Sequence, residues 1–204
     1  KISQTYFDST SGVWITYVEK AYQYDNVGNV IKELDALGFA AGTGTTDDEK
    51  ISTGYGTIKS YNLAGQMLTT SDPVSQDRGI ASSVTYTYDA LGRKTSATNA
   101  NGTIVSYYYN DMNKLAWETL RTNENDSHLI EAYSYDLLGN VTVTTDANFH
   151  SIVYAYNSLG KVSRVIAPGD ATVETLLTFY QYDMSGNLVR QWTTTGELVS
   201  YTYD

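Results

Sequence analysis

The 204-residue chain contains no cysteine, so neither a disulfide framework nor a thiolate metal site can be built from it. It has two histidines, His128 and His150, both among polar loop-type neighbours, and the ordinary reading of each is a solvated side chain. Cationic residues are scarce. Thirteen Lys and Arg stand against 23 Asp and Glu, a formal charge of −10, which excludes nucleic acid as a partner because phosphate binding needs clustered bases. An anionic membrane surface is disfavoured for the same reason. No apolar run approaches the length needed to cross a bilayer, so this segment is not expected to insert. No stretch carries a convincing helical period, and there is no Ser-His-Asp arrangement, zinc spacing or phosphate-binding glycine loop. Neither an enzyme nor a cofactor is expected.

What the chain has in excess is tyrosine: 19 Tyr against four Phe. Many of them fall in a recurring signature, Tyr22-Gln23-Tyr24-Asp25, Tyr86-Thr87-Tyr88-Asp89, Tyr133-Ser134-Tyr135-Asp136, Tyr180-Gln181-Tyr182-Asp183 and Tyr201-Thr202-Tyr203-Asp204. Looser copies are Ser60-Tyr61-Asn62, Tyr107-Tyr108-Tyr109-Asn110 and Tyr154-Ala155-Tyr156-Asn157. The second tyrosines lie 37, 27, 21, 26, 21, 26 and 21 residues apart, a minimal period of 21 with insertions. Such recurrence marks a repeat array.

One copy shows the local structure. Tyr133, Tyr135, Val141 and Val143 alternate with Ser134, Thr142 and Thr144 at the two-residue period of a strand. Between the two halves lies Asp136-Leu137-Leu138-Gly139. An Asp opening a turn accepts a hydrogen bond from the backbone two residues on. The glycine supplies the left-handed conformation that closes a short hairpin loop. The same punctuation ends in Gly28, Gly65, Gly92, Gly160 and Gly186, with Asn113 in one copy. Each repeat therefore reads as a β-hairpin whose second tyrosine faces the residue six positions on: Val30, Met67, Lys94, Leu115, Val141, Val162 or Leu188. Tyrosine in place of leucine suits a thin wall wetted on both sides, because its ring is apolar and its hydroxyl tolerates water. The glycine- and threonine-rich segment 38–49, the segment 71–79 and the segment 121–127 are expected to be inserted loops. The cluster Asp47, Asp48, Glu49 reads as a solvated acidic stretch.

These motifs resemble the YD repeats of the Rhs superfamily, whose pattern runs Tyr-x-Tyr-Asp-x-x-Gly-Arg/Asn-Leu/Val. The resemblance places the signature on Tyr22, Tyr24, Asp25, Gly28, Tyr86, Tyr88, Asp89, Gly92, Tyr133, Tyr135, Asp136, Gly139, Tyr154, Tyr156, Asn157, Gly160, Tyr180, Tyr182, Asp183 and Gly186. Family members include bacterial Rhs toxins, the C component of insecticidal toxin complexes, wall-associated proteins and animal teneurins. The resemblance implies an all-β fold, tandem β-hairpins forming part of a curved or spiralling β-sheet shell. Residues 1–20 would be a degenerate or partial repeat and 21–204 the array, the whole a fragment of a longer protein. The implied function is a non-enzymatic scaffold that encapsulates or displays a toxin, effector or adhesive domain of a large secreted or surface-exposed bacterial protein. Its partners would be the rest of its own chain and the enclosed domain. The family's Asp-Pro-x-Gly cleavage motif is absent, since Asp72-Pro73-Val74-Ser75 lacks the glycine. A second expectation is a carbohydrate-binding module, with Trp14, Trp117, Trp192 and exposed tyrosines stacking on cell-wall or host glycans. Cross-strand packing would occupy the same aromatics.

Overall fold

The structure, a computed structural model, describes residues 1–72, 83–124, 126–168 and 175–203. It contains sixteen strands whose order follows the chain, and every pairing described is antiparallel. Short hairpin connections make that topology the natural one, because each strand meets its neighbour with little loop to close.

The chain divides into two compact units, 1–104 and 105–204. The first holds β1 (Ile2–Asp8), β2 (Val13–Tyr24), β3 (Val30–Asp35), β4 (Thr57–Tyr61), β5 (Met67–Ser71), β6 (Ser83–Tyr88) and β7 (Lys94–Thr98). The second is built from β8 (Ile104–Tyr109), β9 (Leu115–Asn123), β10 (Asp126–Tyr135), β11 (Val141–Asp146), β12 (Ser151–Tyr156), β13 (Val162–Pro168), β14 (Thr175–Tyr182), β15 (Leu188–Thr193) and β16 (Leu198–Ser200). The all-β hairpin architecture expected from the alternation is the one observed.

Most strand residues are neither buried nor free but half-covered on whichever face they occupy. That is the pattern of a single layer of sheet. Among the described residues only Ala21, Leu34, Phe39 and Ile51 form a buried apolar core. All four belong to one place, where the segment between β3 and β4 folds back over β2 and β3. Here the sequence expectation of a loop is corrected. The segment forms two short helices, α1 (Ala36–Ala40) and α2 (Asp47–Thr53). Thr46 caps α2 by accepting the Glu49 N–H, and the Glu49 carboxylate accepts the Thr46 N–H in return, a reciprocal capping box. The acidic cluster is therefore the first turn of a helix, where negative charge is favourable. Backbone donation from Thr46, and then Thr45, pulls the Glu49 carboxyl down to about 2. The glycines of this segment serve close packing: a Cβ on Gly38 would lie 2.0 Å from the Tyr55 carbonyl oxygen. Lys32 runs beneath the helices and donates to the Ser52 carbonyl at 2.8 Å.

A second expected loop is also corrected. Arg121, Thr122 and Asn123 continue β9, while Asp126 and Ser127 open β10, so this insertion is mostly a longer hairpin. Of the third, Ser71 ends β5 and Asp72 follows it, and the rest lies outside the described residues.

Candidate functional site

The signature turns share one construction. In Asp25-Asn26-Val27-Gly28 the Asp25 N–H donates to the Asn29 carbonyl and the Gly28 N–H donates to the Asp25 carbonyl. The same pair of bonds closes the turns that begin at Asn62, Asp89, Asn110, Asp136, Asn157 and Asp183. The fourth residue is left-handed each time: Gly139 has φ +83°, and Asn113, the substitute, has φ +61°.

The aspartate does more than the turn alone requires. Asp136 Oδ1 accepts the Leu138 and Asn140 N–H groups, and Oδ2 accepts the Asn140 side-chain amide, all at 2.9 Å. Asp25 holds Val27 and Asn29 identically, and Asp89 adds the Arg93 guanidinium at 2.7 Å. Asp183 holds Asn187 through both backbone and side chain. These donors, led by the Asn side chain at Asp25 and Asp136 and by the backbone N–H of residue i+4 at Asp89 and Asp183, keep the four carboxyls below the usual carboxylate range. The residue after the turn glycine is thus part of the clamp.

That residue also reaches the next repeat. Lys114 packs its terminal carbons where a Cβ on Gly139 would fall, 2.6 Å away, and its ammonium lies 5.5 Å from the Tyr135 ring centroid. Lys161 does the same to Gly186 and Tyr182. Gln66 donates to the Gly92 carbonyl.

The second tyrosines form the other link between repeats. Their register sets Tyr24 opposite Val30, Tyr61 opposite Met67, Tyr88 opposite Lys94, Tyr135 opposite Val141, Tyr156 opposite Val162 and Tyr182 opposite Leu188, each at a register shift. Their hydroxyls go elsewhere. Tyr61 donates to the Val30 carbonyl (3.0 Å), Tyr88 to Met67 (2.8 Å), Tyr135 to Leu115 (2.7 Å), Tyr156 to Val141 (2.7 Å), Tyr182 to Val162 (2.9 Å) and Tyr203 to Leu188 (2.9 Å). The acceptor always lies six residues after the preceding copy's tyrosine.

The reason is visible in the ladder. Pairing between β11 and β12 stops at Val143–Val153, and between β13 and β14 at Arg164–Phe179, two residues short of the acceptors. A carbonyl left past the end of a ladder needs a donor or water. The phenol supplies it and stitches one hairpin to the next. Burial raises the Tyr88, Tyr135, Tyr156 and Tyr182 phenols, which keeps them protonated and donating.

The first tyrosines sit two residues earlier on the same strand faces. Tyr22 lies 6.3 Å from Tyr24, ring to ring. Lys94 covers Tyr86 at 4.5 Å, and Tyr133 donates to Glu131 at 2.7 Å. Tyr154 and Tyr180 stand opposite Val165 and Gln191.

Three further turns of the same construction escaped the sequence reading. They begin at Asn99, Asp146 and Thr193, and their fourth residues Gly102, Phe149 and Gly196 all have positive φ. Each lies ten residues after a signature Asp, so the 21-residue period contains two like turns, one at each end of the strands. The signal was the Asn-Ala-Asn-Gly and Thr-Thr-Thr-Gly spacing. His150 occupies the post-turn position, its N–H held by Asp146, and His128 is exposed beside Asp126.

Two tryptophans are engaged in ring stacks, Trp117 with Tyr108 at 4.9 Å and Trp192 with its cross-strand partner Phe179 at 5.3 Å. Trp14 is exposed near the end of its hairpin. Among the described residues no group of three or more His, Asp or Glu side chains is arranged to hold a metal. Glu118 and Glu131 stand directly opposite each other, and burial together with Glu131 raises the Glu118 carboxyl. Shallow depressions exist, one lined by Arg190, Trp192, Glu197 and Leu198.

A ladder of hairpins closed by Asp or Asn clamps and stitched through phenol hydroxyls defines a β-hairpin repeat wall. Within it, residues 61–104 match the family model described as RHS Repeat. Solved structures share the fold. One described as TcdB2-TccC3-TEV superposes with a TM-score of 0.66 at 14% identity, over 98% of this chain and 11% of that one. TcdB2-TccC3 without its hypervariable C-terminal region gives 0.60 at 16% identity, over 99% of this chain and 12% of that one. A Tc holotoxin pore of Photorhabdus luminescens gives 0.56 at 14% identity, over 94% and 11%. The chain thus spans 11–12% of the length of these relatives. No curated protein matches it.

Proposed function

We propose that the chain is a non-enzymatic segment of a shell wall that encapsulates or displays an effector or adhesive domain of a large secreted or surface-exposed bacterial protein. Residues 21–204 are the array in this reading and 1–20 a partial repeat. The observation that carries it is the phenol-to-carbonyl stitch, which recurs between successive hairpins and makes each repeat the template for the next. The signature residues, Tyr22 to Gly186, act as structural elements of the hairpins that carry it. Such an array has additive nearest-neighbour stability and no need of a deep core. The solved relatives support the reading, since one is described as a Tc holotoxin pore and another as TcdB2-TccC3 without its hypervariable C-terminal region. The enclosed domain and the rest of the chain are the partners. No helix among the described residues is long and apolar enough to cross a membrane.

The test uses the full-length protein that carries this segment. Tyr135→Phe, Tyr156→Phe and Tyr182→Phe are introduced together, and limited proteolysis of the domain linked to the array is followed. Protection of that domain should fall in the variant while its own fold is unchanged. Equal protection in both proteins, or a saturable small-molecule turnover by the array itself, would overturn the wall reading.

A further inference from the structure

The signature turns carry an unexplained apolar row. Every one of the seven places a large hydrophobic side chain at its tip: Val27, Leu63, Leu91, Met112, Leu137 with Leu138, Leu159 and Met184. They are not tucked in; Leu63, Leu137 and Met184 are 110%, 97% and 104% exposed. Turn positions favour Gly, Pro, Asn, Asp and Ser, so a large apolar side chain at all seven tips needs a cause. The connections at the other strand ends differ. Among the described residues, the turns of like build there have the tips Ala100 and Asn101, Ala147 and Asn148, and Thr194 and Thr195, with Phe149 at the fourth position of one.

Within the second unit the row runs through four successive turns, from Met112 to Met184. Strands about 4.8 Å apart put neighbouring tips roughly 10 Å apart, a gap that a leucine-sized knob fills. A surface with that same period is another row of these turns. At roughly 30 Å² per methylene-sized group, the five side chains offer on the order of 500 Å² per copy. Two rows meeting would bury about 1,000 Å², the lower bound of a specific interface. The charges permit it. The chain as a whole carries −10 and repels itself, whereas the row's Asp111, Asp136 and Asp183 are nearly balanced by Lys114 and Lys161.

We infer that the tip row of the second unit is a self-docking surface whose occupant is the same row on a second copy of this chain. The two rows interdigitate tip into gap, over an interface near the size threshold for a specific one.

The absence of cysteine makes the test clean. Sedimentation of the 204-residue chain across a hundredfold concentration range should show a monomer–dimer equilibrium. The combined variant Leu137→Ser, Leu138→Ser, Leu159→Ser, Met184→Ser should weaken it at least tenfold with an unchanged circular dichroism spectrum. Independently, Ser158→Cys at a tip should give a disulfide-linked dimer under mild oxidation, and Thr195→Cys at the opposite strand ends should not. A wild-type chain that stays monomeric throughout would overturn the inference and assign the row to another occupant. Dimers that survive the serine variant, or that cross-link through Thr195→Cys instead, would overturn it in favour of pairing through open strand edges.

Discussion

Replacing the second tyrosines with phenylalanine is the sharpest test of the stitch. Tyr135→Phe, Tyr156→Phe and Tyr182→Phe each keep the ring and remove one donor, stranding the carbonyls of Leu115, Val141 and Val162. A protein hydrogen bond contributes a net 0.5–1.5 kcal/mol, and these hydroxyls are only half-buried, so water recovers part of the loss. About 0.5–1 kcal/mol each is expected. Because the three hydroxyls donate to three different carbonyls and lie two strands apart, the triple variant should lose about 2 kcal/mol. Tyr24→Phe is the internal control, since the Tyr24 hydroxyl has no hydrogen-bond partner among the described residues and its side chain is 56% exposed. It should cost nothing measurable. Urea unfolding followed by circular dichroism reads the midpoint, and an unchanged slope would show that the denatured state is not responsible. The pH dependence has a definite sign. A phenol whose folded pKa is raised contributes stability present below its ordinary value of about 10 and lost as pH rises through the folded value. The stitch should therefore be level from pH 5 to 9 and fail above 10. A triple variant within about 0.3 kcal/mol of the parent, or a Tyr24→Phe loss equal to the others, would refute the argument.

Gly139→Ala and Gly160→Ala both force a side chain into the left-handed region, at about 1–2 kcal/mol. Gly139→Ala must also displace Lys114, so it should be the worse of the two in thermal unfolding, whereas nothing obstructs a Cβ at Gly160. Gly38→Ala should destabilise by about 1–3 kcal/mol through overpacking against the Tyr55 carbonyl. Its effect should appear as lost amide protection confined to α1, α2 and β3. Glu118→Gln removes one of two like charges set directly opposite each other. It should stabilise at pH 7 by a few tenths to about 1 kcal/mol, and the gain should vanish in acid, because a raised carboxyl destabilises only once ionised. Glu49 runs the other way. Its carboxyl is lowered from 4.5 to about 2, so the stability it contributes is present above pH 4.5 and lost as pH falls towards 2. Amide exchange in α2 should accelerate across that window before the hairpins change.

Much of the hairpin was legible because its determinants are local. Asp136 and Gly139 fix a loop length, the loop length fixes the partner of Tyr135, and a two-residue period fixes the faces. The helical insert was legible in part and missed. Its capping box, Thr46-Asp47-Asp48-Glu49, is a sequence signal, but the two helices are too short to show a period. They persist because Phe39 and Ile51 bury against Ala21 and Leu34, a contact that no local pattern announces. The Trp192 stack likewise follows from register, which sets it opposite Phe179, and Trp117 stacks on Tyr108, so both rings have partners and give the glycan reading no support.

The sequence by itself determined the repeat, its turns and the strand alternation, since each rests on the conformational preferences of residues within one hairpin. It could not say where a tyrosine hydroxyl would go. Only the tertiary structure decided that, because the acceptor is a carbonyl of the preceding hairpin, some 15 to 31 residues back, left over where the backbone ladder between two repeats runs out. The same holds for the apolar tips: they are scattered along the chain, and only the stacking of hairpins sets them in successive turns.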